Sequence, residues 1–190
     1  MAESYRLFLA LWPDRQVRER VTYYLQSFYP LPPSARAVTI DNLHITLRYI
    51  GLVDGSQLAC IRQVMAGVQL PSFEIELDHQ GYWSRPKVAW LGCHRPPMAL
   101  VQLVGDINTA LGTCGIESES RPYLPHMTVF RKYAAFPSID IPPISWSVRS
   151  FALVLSESRP EGVHYSVLNQ WPDSDAGDIS SPKCPAGLGE

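Results

Sequence analysis

Long hydrophobic runs, closely spaced cysteines and a dominant charge sign are all missing from this 190-residue chain, and each absence removes a class of function. The longest apolar stretches, Leu7 to Trp12 and Phe151 to Leu155, fall far short of the roughly 20 residues a membrane helix requires, so no membrane span is expected. Met1 to Arg6 carries Glu3 and Arg6 where a secretory leader would carry an apolar core, and a cytosolic location is expected. The four cysteines, Cys60, Cys93, Cys114 and Cys184, form no Cys-x-x-Cys pair. They read as reduced structural thiols, and no metal site is expected, because Cys93 and His94 would face opposite sides of a strand. The net charge is −2, with four acidic residues against one lysine in residues 173–190, which leaves residues 1–172 at +1. A near-neutral body argues against sequence-independent coating of nucleic acid, which draws on many phosphate contacts. It leaves room for a small local anion pocket.

A content of 46% hydrophobic residues suits one domain, or two small lobes sharing an interface, over residues 1–172. Tyr5 to Trp12 reads as a buried strand ended by Pro13-Asp14. Apolar residues then recur at helical spacing over Asp14 to Phe28, Leu58 to Val68 and Pro97 to Leu111. Strands are expected within Ala37 to Ile50, closed by Gly51, and over Phe73 to Leu77 and Lys87 to Cys93, the last two forming a hairpin-like pair. Two further strands, Ser147 to Ser156 and Val163 to Trp171, are expected to join around Pro160-Glu161-Gly162. Residues 173–190, rich in small, acidic and breaker residues, are expected to form a disordered tail.

What the chain does have is a repeated tetrapeptide. His44-Ile45-Thr46-Leu47 is followed 82 residues later by His126-Met127-Thr128-Val129. In a strand, alternate side chains share a face, so each copy offers an imidazole beside a hydroxyl on one face and two hydrophobes on the other. One such strand is unremarkable, since Thr favours strands. Two in matched contexts point to a site. A pair of imidazoles suits general acid-base catalysis near neutral pH, and the hydroxyls of Thr46 and Thr128 can donate to phosphoryl oxygens. By parity Arg48 shares the face of His44 and Thr46, whereas Arg131 lies opposite His126 unless its strand bends. Tyr49, Tyr123 and Phe130 can stack on a base but suit core packing better. The five tryptophans read as core or lobe-interface residues, and His79, His94 and His164 as surface or structural ones.

Arg6-Leu7-Phe8-Leu9-Ala10, Asp41-Asn42-Leu43-His44-Ile45-Thr46-Leu47 with Gly51, and Arg121-Pro122-Tyr123-Leu124-Pro125-His126-Met127-Thr128-Val129 with Arg131 together carry a resemblance. The chain resembles the RNA 2′,3′-cyclic phosphodiesterases, also called 2′-5′ RNA ligase-like proteins, of the two-histidine phosphoesterase superfamily. The resemblance implies an α+β fold of two pseudo-symmetric lobes, each an antiparallel sheet backed by helices, around a central cleft. It implies a monomeric enzyme without a metal or other cofactor, acting on RNA ends or nucleotides that carry a 2′,3′-cyclic phosphate and leaving a 2′-phosphomonoester, or running in reverse as a 2′-5′ ligation. His44 would be the proton donor, His126 the proton acceptor, and Thr46 and Thr128 the phosphate holders, with Arg131 favoured by position and Arg48 by parity. The alternatives are a non-catalytic module that binds RNA ends and a phosphodiesterase for a different small cyclic phosphate.

Overall fold

The computed structural model describes residues 4–134, 136, 137, 139–160 and 162–172. The chain runs β1 (Tyr5–Leu11), α1 (Arg15–Leu25), β2 (Arg36–Ala37), β3 (Ile45–Val53), α2 (Gly55–Met65), β4 (Phe73–Leu77), β5 (His79–Trp83), β6 (Val88–Gly92), α3 (Met98–Gly112), β7 (His126–Arg131), β8 (Ile144–Val148), β9 (Phe151–Arg159) and β10 (Gly162–Trp171). Local chemistry places the helices. Asp14 caps α1 by accepting from the Val17 amide, and Asp54 with Gln57 forms a reciprocal capping box at α2, devices worth about 1 kcal/mol each.

The strands order as β10-β9-β1-β3-β7-β6-β5, with β2 added beside β7, and β4 pairs with β8 in a separate ribbon. The described ladders are antiparallel. At its middle the large sheet is barely joined, because β3 and β7 share a single register pair, Ile45 with Met127. Two half-sheets therefore meet at the two motifs, as the two-lobed expectation requires. Helices α2 and α3 pack together and α3 lies against β3, while α1 packs on β8 and its Tyr24 hydroxyl donates to the Gln80 side chain of β5. One continuous core fills the interior and includes Leu9, Ile45, Ile61, Ile107, Met127 and Phe130.

Several expectations need correction. Gly51 does not close the first motif strand, which continues to Val53 through a bulge where Gly51 takes φ +92°, a conformation open to glycine at little cost. Phe73–Leu77 does not pair with the strand at 88–92; its partner is β8. The hairpin partner of β6 is β5, which lacks the alternation that marks a strand and is evenly half-buried. The stretch Ser147 to Ser156 is two strands broken at Arg149-Ser150. Cys60 and Cys114 are not free thiols but a disulfide that fastens α2 to the end of α3. Closing a loop of 54 residues is worth about 4 kcal/mol in chain-entropy terms. Such bonds belong to oxidising compartments, so this bond and the cytosolic expectation pull in opposite directions. Cys93 is buried and free. The expected tail, 173–190, lies outside the described residues.

Strand β5 carries a glycine for a steric reason. A Cβ on Gly81 would sit 2.0 Å from the Trp90 indole carbon across the ladder. Gly81→Ala is therefore expected to displace Trp90 and lower stability by about 1–3 kcal/mol, the usual cost of overpacking. Matching denaturant midpoints for the variant and the parent would contradict this packing.

Candidate active site

The two motifs sit on adjacent antiparallel strands, and Ile45 faces Met127, so the residue after each histidine lies at the local two-fold. Ile45, Leu47, Met127 and Val129 are almost fully buried, which turns the half-buried His44, Thr46, His126 and Thr128 to the open face. There they line one cleft of about 490 Å³. The structure thus brings together the four residues that the repeat singles out.

Parity fails beyond them, in the same way in both strands. Leu9 pairs with Arg48 and Ala10 with Thr46, which leaves Leu47 as an extra residue. Ala89 pairs with Phe130 and Trp90 with Thr128, which leaves Val129 extra. Each bulge puts two consecutive residues inward and flips the next one outward. Arg48 is consequently 9% exposed and Phe130 fully buried, while Tyr49 and Arg131 emerge into the cleft. The expectation that Arg48 shares the face of His44 is therefore corrected: its guanidinium pairs with Glu119 at 3.5 Å and donates to the Glu117 carbonyl. Arg131 joins the histidines because its strand is bulged.

Each imidazole is anchored through Nδ1 to a backbone carbonyl two residues upstream: His44 to Asn42 O at 2.7 Å and His126 to Leu124 O at 2.9 Å. Since a carbonyl only accepts, Nδ1 carries a proton in both rings and Nε2 remains to exchange one. The rings are caged by aromatics. Trp12 stacks on His44 with 7° between planes and 5.3 Å between centroids, Phe8 and Tyr165 close its other sides, and Trp83 meets His126 edge-on at 4.6 Å. Burial pushes the His44 pKa down to about 4; the Asn42 carbonyl opposes this, and the charges of His126 and Arg131 add to it. The His126 pKa is also lowered, chiefly by burial and further by Arg131, against the Leu124 carbonyl. Both rings are neutral at pH 7.

Sequence reasoning read Trp12 and Trp83 as core or lobe-interface residues and passed over Tyr165 altogether. All three wall the histidines where the two half-sheets meet, and nothing in their spacing marks that role. Of the residues weighed for stacking, Phe130 is core, Tyr49 reaches the cleft, and Tyr123 donates its hydroxyl to the Thr46 carbonyl at 3.2 Å, which steadies the motif strand. His79 and His94 lie ring to ring at 4.4 Å, with His94 on Asp78, and are not among the cleft residues. Among the described residues no group of His, Cys, Asp or Glu comes together that could hold a metal ion. None of the described helices is long and apolar enough to cross a membrane.

A family model described as the 2′-5′ RNA ligase superfamily matches residues 32–159. The RNA 2′,3′-cyclic phosphodiesterase of Escherichia coli strain K12 is 31% identical over 173 residues, 90% of this chain and 98% of that protein. The protein of the same name from Thermotoga maritima is 28% identical over 175 residues, 86% and 92% of the two chains. Among solved structures, apo E. coli LigT is similar with a TM-score of 0.79 at 31% identity, covering 89% of this chain and 97% of LigT. LigT complexed with 3′-AMP is similar with a TM-score of 0.78 at 31% identity, over 89% and 98% of the chains.

The depressed His44 pKa has a consequence for stability. Unfolded, this residue takes up a proton near pH 6.5; folded, only near 4. Between those values the unfolded chain binds more protons, so His44 makes stability fall as pH drops through that window. His44→Gln is expected to lose less stability than the parent between about pH 7 and about pH 4.5, read from urea midpoints. Parallel losses in the two proteins would contradict the burial of the ring.

Proposed function

The chain belongs to the 2′-5′ RNA ligase superfamily, and from that premise and its two-histidine cleft we propose that it is a hydrolase opening the 2′,3′-cyclic phosphate of RNA ends or nucleotides to a 2′-phosphomonoester. The observation that carries this reading is the duplicated bulged strand, which brings two anchored imidazoles, two hydroxyls and one arginine to a single cleft.

In this reading His126 Nε2 takes a proton from water as the water oxygen attacks phosphorus. The bond from phosphorus to O3′ breaks, and His44 Nε2 gives its proton to the departing oxygen. Proton transfer by a positioned group is worth about 10²- to 10⁴-fold at each step. The Thr46 and Thr128 hydroxyls donate to the non-bridging oxygens, and Arg131 supplies charge where the pentacovalent phosphorane becomes more negative. Tyr49, 53% exposed at the cleft, offers a face for a base. One chain supplies every one of these groups, which supports action as a monomer. With a 5′-hydroxyl in place of water as the attacking group, the same steps would open the cyclic phosphate into a 2′-5′ linkage, O3′ again leaving with a proton from His44.

Burial keeps both rings neutral at pH 7, so a phosphodiester anion must raise the His44 pKa before His44 can act as an acid. The profile of kcat/KM, which reports the free enzyme, is expected to be a bell peaking below pH 6.5, where the His44 pKa near 4 and the lowered His126 pKa lie. The kcat profile, which reports the complex, is expected to peak at higher pH. Superimposable profiles would contradict this account.

Replacing either histidine with Ala is expected to slow turnover by about 10²- to 10⁴-fold. A substrate whose bridging O3′ is replaced by sulfur separates the two roles, because a thiolate leaves without an acid. It is expected to restore His44→Ala and not His126→Ala. Rescue of His126→Ala alone would reverse the assignment, and full activity of both variants on the oxygen substrate would end it.

A further inference from the structure

The catalytic cleft opens into a second cavity of about 470 Å³, and Thr46, Tyr49, Trp83, Arg121 and His126 belong to both. Its far wall is built from Val104 and Asn108 of α3, Arg48 of β3 and the segment that carries Glu119. Nothing in the hydrolytic steps uses this space.

Its chemistry is specific. Two arginines share one carboxylate: Arg48 lies 3.5 Å from Glu119, and Arg121 makes paired contacts with it at 3.0 and 3.2 Å. The group carries one net positive charge. Among the residues that line it, Arg48 and Asn108 bury Nε and Oδ1 without a hydrogen-bond partner, a donor and an acceptor that folding rarely leaves unmatched. Tyr49 and Trp83 present ring surface at the mouth, and Val104 and Leu47 line the interior.

A nucleotide is complementary to that list. Its phosphodiester suits the arginines, its base edge offers both an acceptor and a donor to Arg48 Nε and Asn108 Oδ1, and its ring face suits an aromatic wall. We propose that this cavity is a subsite for the nucleotide that immediately precedes the one carrying the cyclic phosphate, with Val104 and Asn108 setting how strongly a dinucleotide end is preferred over a mononucleotide. Glu119 holds the two arginines, and an incoming phosphodiester takes its place. The inference rests on the phosphodiesterase reading, and its test separates the two.

Adenosine 2′,3′-cyclic phosphate and the dinucleotide ApA with the same terminal cyclic phosphate are compared by kcat/KM. The parent is expected to favour the dinucleotide by about tenfold or more, the scale of one stacked base. Val104→Phe fills the cavity and Asn108→Leu removes its acceptor. Each is expected to bring the ratio close to one while mononucleotide turnover is retained, with thermal melts reporting folding. Equal turnover of the two substrates by the parent would overturn the subsite, as would a preference that both folded variants keep. If the parent turns over neither substrate, the phosphodiesterase reading fails. Calorimetry with ApA 2′-phosphate and adenosine 2′-phosphate then decides the subsite by itself: tighter dinucleotide binding supports it, and equal binding overturns it.

Discussion

A single register pair, Ile45 against Met127, is the constraint on which the rest of the site depends. Among the described ladders it is the one pair that β3 and β7 share, and it fixes the register at which the motifs meet. Because side chains alternate along a strand, burying Ile45 and Met127 forces His44, Thr46, His126 and Thr128 to the opposite face. A slip of one residue would bury the imidazoles and expose the hydrophobes. The burial of Ile45, Leu47, Met127 and Val129 therefore stabilises the core and orients the reactive face at the same time. Strand β3 is further held from both sides, by β1 across a long ladder and by α3 behind it.

The bulges at Leu47 and Val129 extend the symmetry past the motifs. Without them Arg48 and Phe130 would face the cleft while Tyr49 and Arg131 faced the core. With them the cleft gains one aromatic and one cation at equivalent positions, and the core gains a phenylalanine on one side and an arginine on the other. Burying Arg48 is tolerated because Glu119 and the Glu117 carbonyl meet its guanidinium. That in turn ties the segment leading to His126 back onto the first motif strand, and the Tyr123 hydroxyl on the Thr46 carbonyl adds a second tie.

Much of this was legible in the sequence for physical reasons. The helices show the 3.6-residue period because one face of each is buried, as with Val17, Val21, Tyr24 and Leu25. The two histidines and two threonines were legible because a repeat that alternates polar and apolar residues has one straightforward reading on a strand. The misreadings also share causes. Strand β5 was missed because the even half-burial of His79 to Trp83 leaves no alternation to see. Arg48 was misplaced, and Arg131 left unresolved, because a bulge shifts parity without leaving a sequence signature. The Cys60–Cys114 disulfide was missed because their separation of 54 residues says nothing about how α2 and α3 pack. The aromatic cage was not legible because Trp12, just past β1, and Trp83 of β5 reach their histidines from segments distant in sequence.

A symmetric frame by itself cannot separate acid from base, since two equivalent imidazoles would share one pKa. The distinction arises from what surrounds each ring. Trp12, Phe8 and Tyr165 enclose His44 on several sides, whereas His126 meets Trp83 and, more distantly, Trp90. Greater desolvation makes His44 the weaker base, and therefore the stronger acid once an anion in the cleft has allowed it to protonate. Arg131, which emerges from the His126 strand, disfavours a second positive charge on both rings. In the proposed mechanism the backbone thus supplies two matched proton-transfer groups, and the unmatched aromatics around them set the direction in which the proton moves.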